Sequence, residues 1–175
     1  AAGRTADARP LLERLLAAEP DDFDATMNLA TAHLFDRAWD EADRLAGRAL
    51  ELRVGDADAT RLRGVVAWRR GRLDDAERWL GEAAAANPTD AKALAWIGSI
   101  RLARRQPATA LAAYRAALVR DPLLADALVG GASAALSTGA GDQAMRWLER
   151  ARKVAPAHDG LAEVEQRLAA AGRSR

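Results

Sequence analysis

The 175-residue chain contains no cysteine, which excludes disulfides and thiolate metal sites. Aromatic residues make up only 5% of it, with a single tyrosine. Lysine is almost missing: Lys92 and Lys153 are the only two, so 24 of the 26 basic residues are arginine. Neither sign of charge prevails, because 25 acidic residues are interleaved with the basic ones and the formal net charge is +1. Nucleic acid selects a basic face and a clear positive excess, so it is not an expected partner. No apolar run approaches the roughly 20 residues that a membrane-spanning helix needs, and no signal peptide is visible, so membrane insertion is not expected.

What is present is alanine and arginine. There are 45 alanines, and half of all residues are hydrophobic, enough for a substantial apolar interior. Both residue types are favoured by GC-rich codons, which suggests a bacterial source and supplies a bland reason for the arginines. The alanines also keep time. Ala8, Ala42, Ala76, Ala110 and Ala144 recur at an interval of 34 residues, Pro88, Pro122 and Pro156 share that interval, and Pro20 lies two intervals before Pro88. A fixed period of this length marks an array of identical supersecondary units. It divides the chain into repeats at 23–56, 57–90, 91–124 and 125–158, preceded by a half repeat at 8–20 and followed by a helix at 159–171.

Within each repeat the apolar spacing is helical, in two stretches of about 13 residues separated by a short break. Leu94, Ile97, Gly98 and Arg101 fall on one face of a first helix; Ala110, Tyr114, Ala117 and Leu118 fall on one face of a second. The boundary signals repeat with the same interval. Asp22, Asp56 and Asp90 precede the first helices, where a carboxylate accepts the unpaired amide protons of the first turn. Asp40, Asp74 and Asp142 stand in the first turn of second helices. Gly71 and Gly139 sit where first helices should stop, and the prolines end second helices by removing a donor. Small residues mark the helix crossings: Gly64 and Gly98 share a phase with Ala30 and Ala132, opposite Ala42, Ala76, Ala110 and Ala144. Leucine at Ala110 should overpack its crossing at a cost of about 1–3 kcal/mol.

The pattern Gly64-Ala76-Ala83-Pro88 and Gly98-Ala110-Tyr114-Ala117-Pro122, with a looser copy in Ala30-Ala42-Ala49, resembles the tetratricopeptide repeat over about residues 8–158. The resemblance implies an all-α fold, a right-handed α-solenoid (superhelix) of helix-turn-helix units, with first helices lining a concave face and second helices a convex one. The chain departs from the family pattern in several places. Val54 replaces a proline, leaving Gly55 to stop that helix. Arg63 and Arg101 occupy phases usually held by large apolar residues, and are expected to carry their charged heads out to water. Gly130 and Gly131 lie inside a helix at a cost of about 1 kcal/mol each relative to alanine, so the helix is loose there or something approaches it closely. Residues 8–19, with Leu11, Leu12, Leu15 and Leu16, read as a second helix without its first, as in a piece of a longer array, and offer a route to self-association. Residues 159–171, with Leu161, Val164 and Leu168 on one side, read as a capping helix, which a solenoid needs at its end.

Catalysis finds little support. His33 and His158 lie nearly four repeats apart, and His33 reads as a packed histidine in a helix seam. Ser99, Ser133 and Ser137 stand outside any nucleophile-elbow context, no glycine-rich phosphate loop occurs, and no cluster suggests a metal or a cofactor. The expectation is a protein that is not an enzyme.

Binding is better supported. The resemblance carries the concave phases onto Met27, Asn28, Thr31 and Phe35 in the first complete repeat, then onto Arg61, Val65, Trp68 and Arg69 in the second. Lys92, Trp96 and Ser99 follow in the third, with Ser133 in the fourth. Large apolar groups and arginines commonly anchor protein interfaces; Trp68 and Trp96 are the leading anchors, and Arg61 and Arg69 suit a carboxylate. Trp39, Trp79 and Trp147 fall on packing phases, and Tyr114 belongs to the core. A subgroup of the family clamps the acidic tails of chaperones with lysine, asparagine and arginine. Here Met27, Thr31, Leu62 and Trp96 stand at the clamp positions and only Lys92 fits, so tight binding of such tails is not expected. The expected function is a protein–protein interaction scaffold that holds a peptide or partner protein in its groove. The alternatives are a self-assembling or spacer module of an envelope or secretion complex, and the docking domain of a larger enzyme. The compartment, bacterial cytoplasm or periplasm, stays open.

Overall fold

The computed structural model describes the backbone of residues 2–173 and the side chains of residues 9–171. Its described residues form ten α-helices in chain order and no strand. The fold is an all-α solenoid of helical hairpins, and the chain divides into two compact units, residues 1–87 and 88–175.

The first unit contains α1 (Ala2–Ala18), α2 (Phe23–Phe35), α3 (Trp39–Leu52), α4 (Ala57–Arg69) and α5 (Leu73–Ala86). Asp22 and Asp56 cap α2 and α4, their carboxylates accepting from the amides of Ala25 and Ala59 at 2.8 and 2.9 Å. The hairpins α2–α3 and α4–α5 close through alanines that are fully buried, Ala30, Ala42 and Ala76 among them. At Gly64 the approach is closer still: a Cβ there would lie 2.6 Å from Cγ of Leu80. Leu12 and Leu16 of α1 pack against the cluster of Leu29, Ala30, Leu45, Ala46 and Leu62, while Leu11 and Leu15 remain 65% and 39% exposed.

The second unit contains α6 (Ala91–Ala103), α7 (Pro107–Arg120), α8 (Ala125–Ser137), α9 (Gly141–Val154) and α10 (Leu161–Arg173). Asp90 caps α6 through the amides of Lys92 and Ala93. Leu124 stands at the corresponding place before α8 and makes no side-chain cap. One apolar core runs from Ala91 to Val164, centred on Tyr114, Leu128 and Leu148. Its inner helix α8 owes its close packing to two glycines. A Cβ at Gly130 would stand 2.5 Å from the Tyr114 ring, and one at Gly131 2.5 Å from the Trp147 ring. The glycine pair therefore admits two aromatic rings, which answers the question its helix cost raised.

Helix ends follow the 34-residue interval. The first helices stop on a left-handed residue at Arg37, Gly71, Arg105 and Gly139, with φ of 61°, 75°, 58° and 80°. After each, the next amide donates to a carbonyl five residues back, as from Ala38 to His33 and from Gln106 to Arg101, both at 2.9 Å. Glycine adopts this backbone freely and arginine does not, so composition marked two of the four stops and missed Arg37 and Arg105. Gly55, with φ 75°, turns the chain after α3 where Val54 replaces proline.

The two terminal helices differ in character. In α10, Leu161 and Val164 are buried, Arg152 pairs with Glu165 at 2.6 Å, and Glu163, Gln166 and Ala170 face outward. That polar outer side suits a cap. In α1 the exposed residues include Leu11 and Leu15 beside Glu13 and Arg14, so its outer side is mixed.

Candidate functional site: the face of the first helices

Each first helix buries one side against its own second helix and turns the other outward. In the first unit the outward side of α2 carries Asn28, exposed, and Phe35, 65% exposed. Met27 and Thr31 are half-buried beside them, and the Thr31 hydroxyl donates to the Met27 carbonyl at 2.8 Å. On α4, Arg61 pairs with Asp58 one turn earlier. Trp68 is half-buried under the Arg69 guanidinium, 4.9 Å from its ring centroid, close enough for a cation–π contact. Val65 departs from its expected role. It is 4% exposed, because its β-branched side chain fits the helix seam, and it offers a partner no surface.

In the second unit Lys92, Trp96 and Ser99 come together. With Ala95, and Asp126 of α8, they line a pocket of about 90 Å³. Trp96 and Ser99 are half-buried and Lys92 is exposed. Behind Ser99 stands Tyr114 of α7, whose hydroxyl reaches Ser99 Oγ at 3.0 Å. Tyr114 crosses the seam because Gly98 and Gly130 leave it room. Its side chain is 1% exposed, and burial pushes its pKa up to about 12, opposed by the Ser99 hydrogen bond and reinforced by the Asp126 charge. Asp126 Oδ1 lies 3.1 Å from Nε2 of His158, in the turn before α10. Ser133 is engaged from the other side: Arg167 of α10 donates to Ser133 Oγ at 2.6 Å and to Ser137 Oγ at 3.0 Å. Tyr114, His158 and Arg167 were not anticipated as groups beside this face. Gly98 and Gly130, small on the two helices facing Tyr114, were the one signal in the sequence that could have indicated it.

The second-helix side of the first unit holds a larger cleft, about 860 Å³, among Glu13, Leu16, Thr26, Asp43, Arg48, Arg63 and their neighbours. Four acidic and four basic residues line it. Asp43 gathers Arg63, Arg70 and Arg72 at 3.2, 4.0 and 3.4 Å, and the Arg63 guanidinium also lies 4.5 Å from the centroid of Trp79. Contrary to the expectation that Arg63 carries its head out to water, the structure lays the half-buried guanidinium between an aromatic face and a carboxylate, which together satisfy the charge. Because the charges of this cleft balance, it favours neither sign of ligand.

Helical hairpins joined through alanine crossings, with first helices presenting aromatic and charged side chains, define a helical-repeat scaffold. Family models described as tetratricopeptide repeat match residues 1–65 and 97–159, and the chain belongs to the tetratricopeptide-repeat family. Such a fold serves as a protein–protein interaction scaffold. Among similar solved structures is pilF of Pseudomonas aeruginosa, 19% identical with a TM-score of 0.81, over 98% of this chain and 78% of that one. TTC0263, a thermophilic TPR protein of Thermus thermophilus, is 22% identical with a TM-score of 0.78, over 97% and 91%. YrrB, a TPR protein with an unusual peptide-binding site, is 18% identical with a TM-score of 0.65, over 94% and 84%. At these identities the likeness shows the fold. No curated protein matches the sequence.

Proposed function

We propose that the chain is a non-enzymatic interaction module that holds a segment of a partner protein against the outward face of its first helices. The observation that carries this reading is the pocket of Lys92, Trp96, Ser99 and Asp126, where two consecutive first helices present a half-buried indole beside polar groups. A half-buried tryptophan in such a place has apolar area to hide. Phe35, Trp68, Arg61 and Arg69 provide a second set of anchors in the first unit. YrrB, which shares the fold, has a peptide-binding site, and that likeness supports a peptide-like segment as the ligand class. For a non-enzymatic role we rely on how the polar side chains are engaged: the Ser99 hydroxyl is held by Tyr114 and the Ala95 carbonyl, and Ser133 and Ser137 are held by Arg167.

Affinity capture from the native lysate tests the reading, with wild type beside a variant carrying Arg61→Ala and Trp96→Ala that keeps its helical circular dichroism. A partner retained by wild type and lost by the variant is the expected result. Equal recovery by both would move the interaction to the second-helix side.

A further inference from the structure

Beyond the first-helix face, we propose that the second unit carries a separate docking surface on its second helices, α7 and α9, and that this surface takes a carboxylate-rich segment of a partner protein.

The two units treat the charges of their second helices in opposite ways. In the first unit α3 and α5 carry eight acidic residues and three basic ones. In the second unit α7 and α9 carry two acidic and six basic residues, and α7 has no carboxylate at all. The 34-residue register identifies the carboxylates that are missing. Arg44 and Arg78 each pair with a carboxylate one turn earlier, Glu41 and Asp75. Arg146 holds the same phase in the last repeat, and there Gln143 replaces the carboxylate. Arg48 pairs with both Asp21 and Glu51. Its counterpart Arg150 has Leu123 and Lys153 at those two phases.

The guanidiniums of this face are held by neutral groups instead. Arg115 of α7 donates to Gln143 Oε1 of α9, and Arg150 of α9 donates to the Pro122 carbonyl in the turn after α7. Arg120 donates to the carbonyls of Pro88 and Ala116. A carbonyl orients a guanidinium without neutralising it, and each of these arginines keeps further N–H donors for an acceptor from outside. The first two bonds tie α9 to α7, so Arg115 and Arg150 belong to one continuous face. Val119, one turn after Arg115, is 81% exposed, and Leu123, beside Pro122, is 62% exposed. Asp142 and Glu149 precede Gln143 and Arg150 by one residue each, about 100° round the helix from that stripe. Forked donors beside exposed aliphatic side chains match a segment that alternates carboxylates with apolar residues. Interfacial lipid sites draw on exposed aromatic rings, and the aromatic residues of α7 and α9, Tyr114 and Trp147, are buried. Duplex phosphates would leave Val119 and Leu123 uncovered.

The test is fluorescence anisotropy with the full chain at low salt. The probes are a labelled peptide of glutamate, leucine and alanine at helical spacing and its counterpart with glutamine in place of glutamate. The glutamate peptide should bind, and the glutamine peptide should bind more weakly by about tenfold or more. Gln143→Glu with Lys153→Glu restores the carboxylates that the first repeat has at these phases, in pairs the fold already accommodates. That double variant should weaken binding by about tenfold, as should Arg115→Gln with Arg150→Gln. Arg78→Gln, which removes an arginine already paired in the first unit, should change it by less than about twofold. In the ¹⁵N-labelled chain the shifts should gather at Val119, Leu123 and the Gln143 side-chain amide. No binding of the glutamate peptide, binding that survives the restored carboxylates, or shifts gathered elsewhere would overturn the surface. Tighter binding to phosphatidylglycerol vesicles or to duplex DNA, measured in the same way, would overturn the carboxylate as its ligand. Loss of this surface leaves the first-helix face, tested through Arg61 and Trp96, as it stands.

Discussion

The hydroxyl of Tyr114 meets that of Ser99 at 3.0 Å, although one residue belongs to a second helix and the other to the outward side of a first helix. The phenol crosses the seam and stays buried beneath the outward side, and it does so where glycine stands on both neighbouring helices. The only tyrosine of the chain thus couples the packing of the second unit to its candidate site.

That placement gives Tyr114 a measurable titration. Its folded pKa is raised to about 12, above an ordinary value of about 10. Between these values the unfolded chain loses the proton first, so the contribution to stability is complete below about pH 10 and is lost as pH climbs through 12. The full difference corresponds to about 2–3 kcal/mol. Absorbance at 295 nm, with one tyrosine to follow, should show ionisation near pH 12; a midpoint near 10 would mean the ring is solvated.

Glycine-to-alanine substitutions should split by sign. At Gly130 a Cβ would meet the Tyr114 hydroxyl at 2.5 Å, whereas at Gly47 and Gly81 it would meet nothing within 4 Å. Gly130→Ala should destabilise by about 1–3 kcal/mol through overpacking. Gly47→Ala and Gly81→Ala, inside helices and clear of any neighbour, should each stabilise by up to about 1 kcal/mol from helix propensity. Urea denaturation of the three variants distinguishes these outcomes, and equal shifts would contradict the packing described.

Arg105 holds φ 58° at the phase where the repeats before and after it place Gly71 and Gly139. A left-handed arginine costs about 1–2 kcal/mol, and glycine returns part of that as unfolded-chain entropy. Arg105→Gly should therefore raise stability by about 0.5–1 kcal/mol. Thermal unfolding would show it as a higher Tm, and a lower one would place a contact of the arginine above its backbone strain.

Asp56 accepts from the Ala59 amide at 2.9 Å and begins α4. Asp56→Ala should cost about 0.5–2 kcal/mol, and Asp56→Asn much less, because both Asp and Asn cap well. A comparable loss in the two variants would locate the effect in charge instead of the cap.

The sequence by itself determined the repeat. Caps at Asp22, Asp56 and Asp90, glycine stops at Gly71 and Gly139, and buried alanines at 42, 76, 110 and 144 are local or strictly periodic features. Their physics acts within a few residues or one helix turn, so a pattern of residue types is enough to place them. Tertiary structure decided the rest. Arg37 and Arg105 take left-handed backbone because the following hairpin requires a stop there, whatever residue occupies it. Val65 lost its surface to the seam, although the same phase one repeat later leaves Ser99 half-exposed. Tyr114 reached Ser99 from beneath the outer face, and Arg167 claimed Ser133 and Ser137, because helices brought together from 15 to 34 residues apart in sequence leave a gap or a donor at the right height. Such contacts depend on side-chain shape across a packed interface, and helical periodicity, which fixes only the direction in which a residue points, carries no record of them.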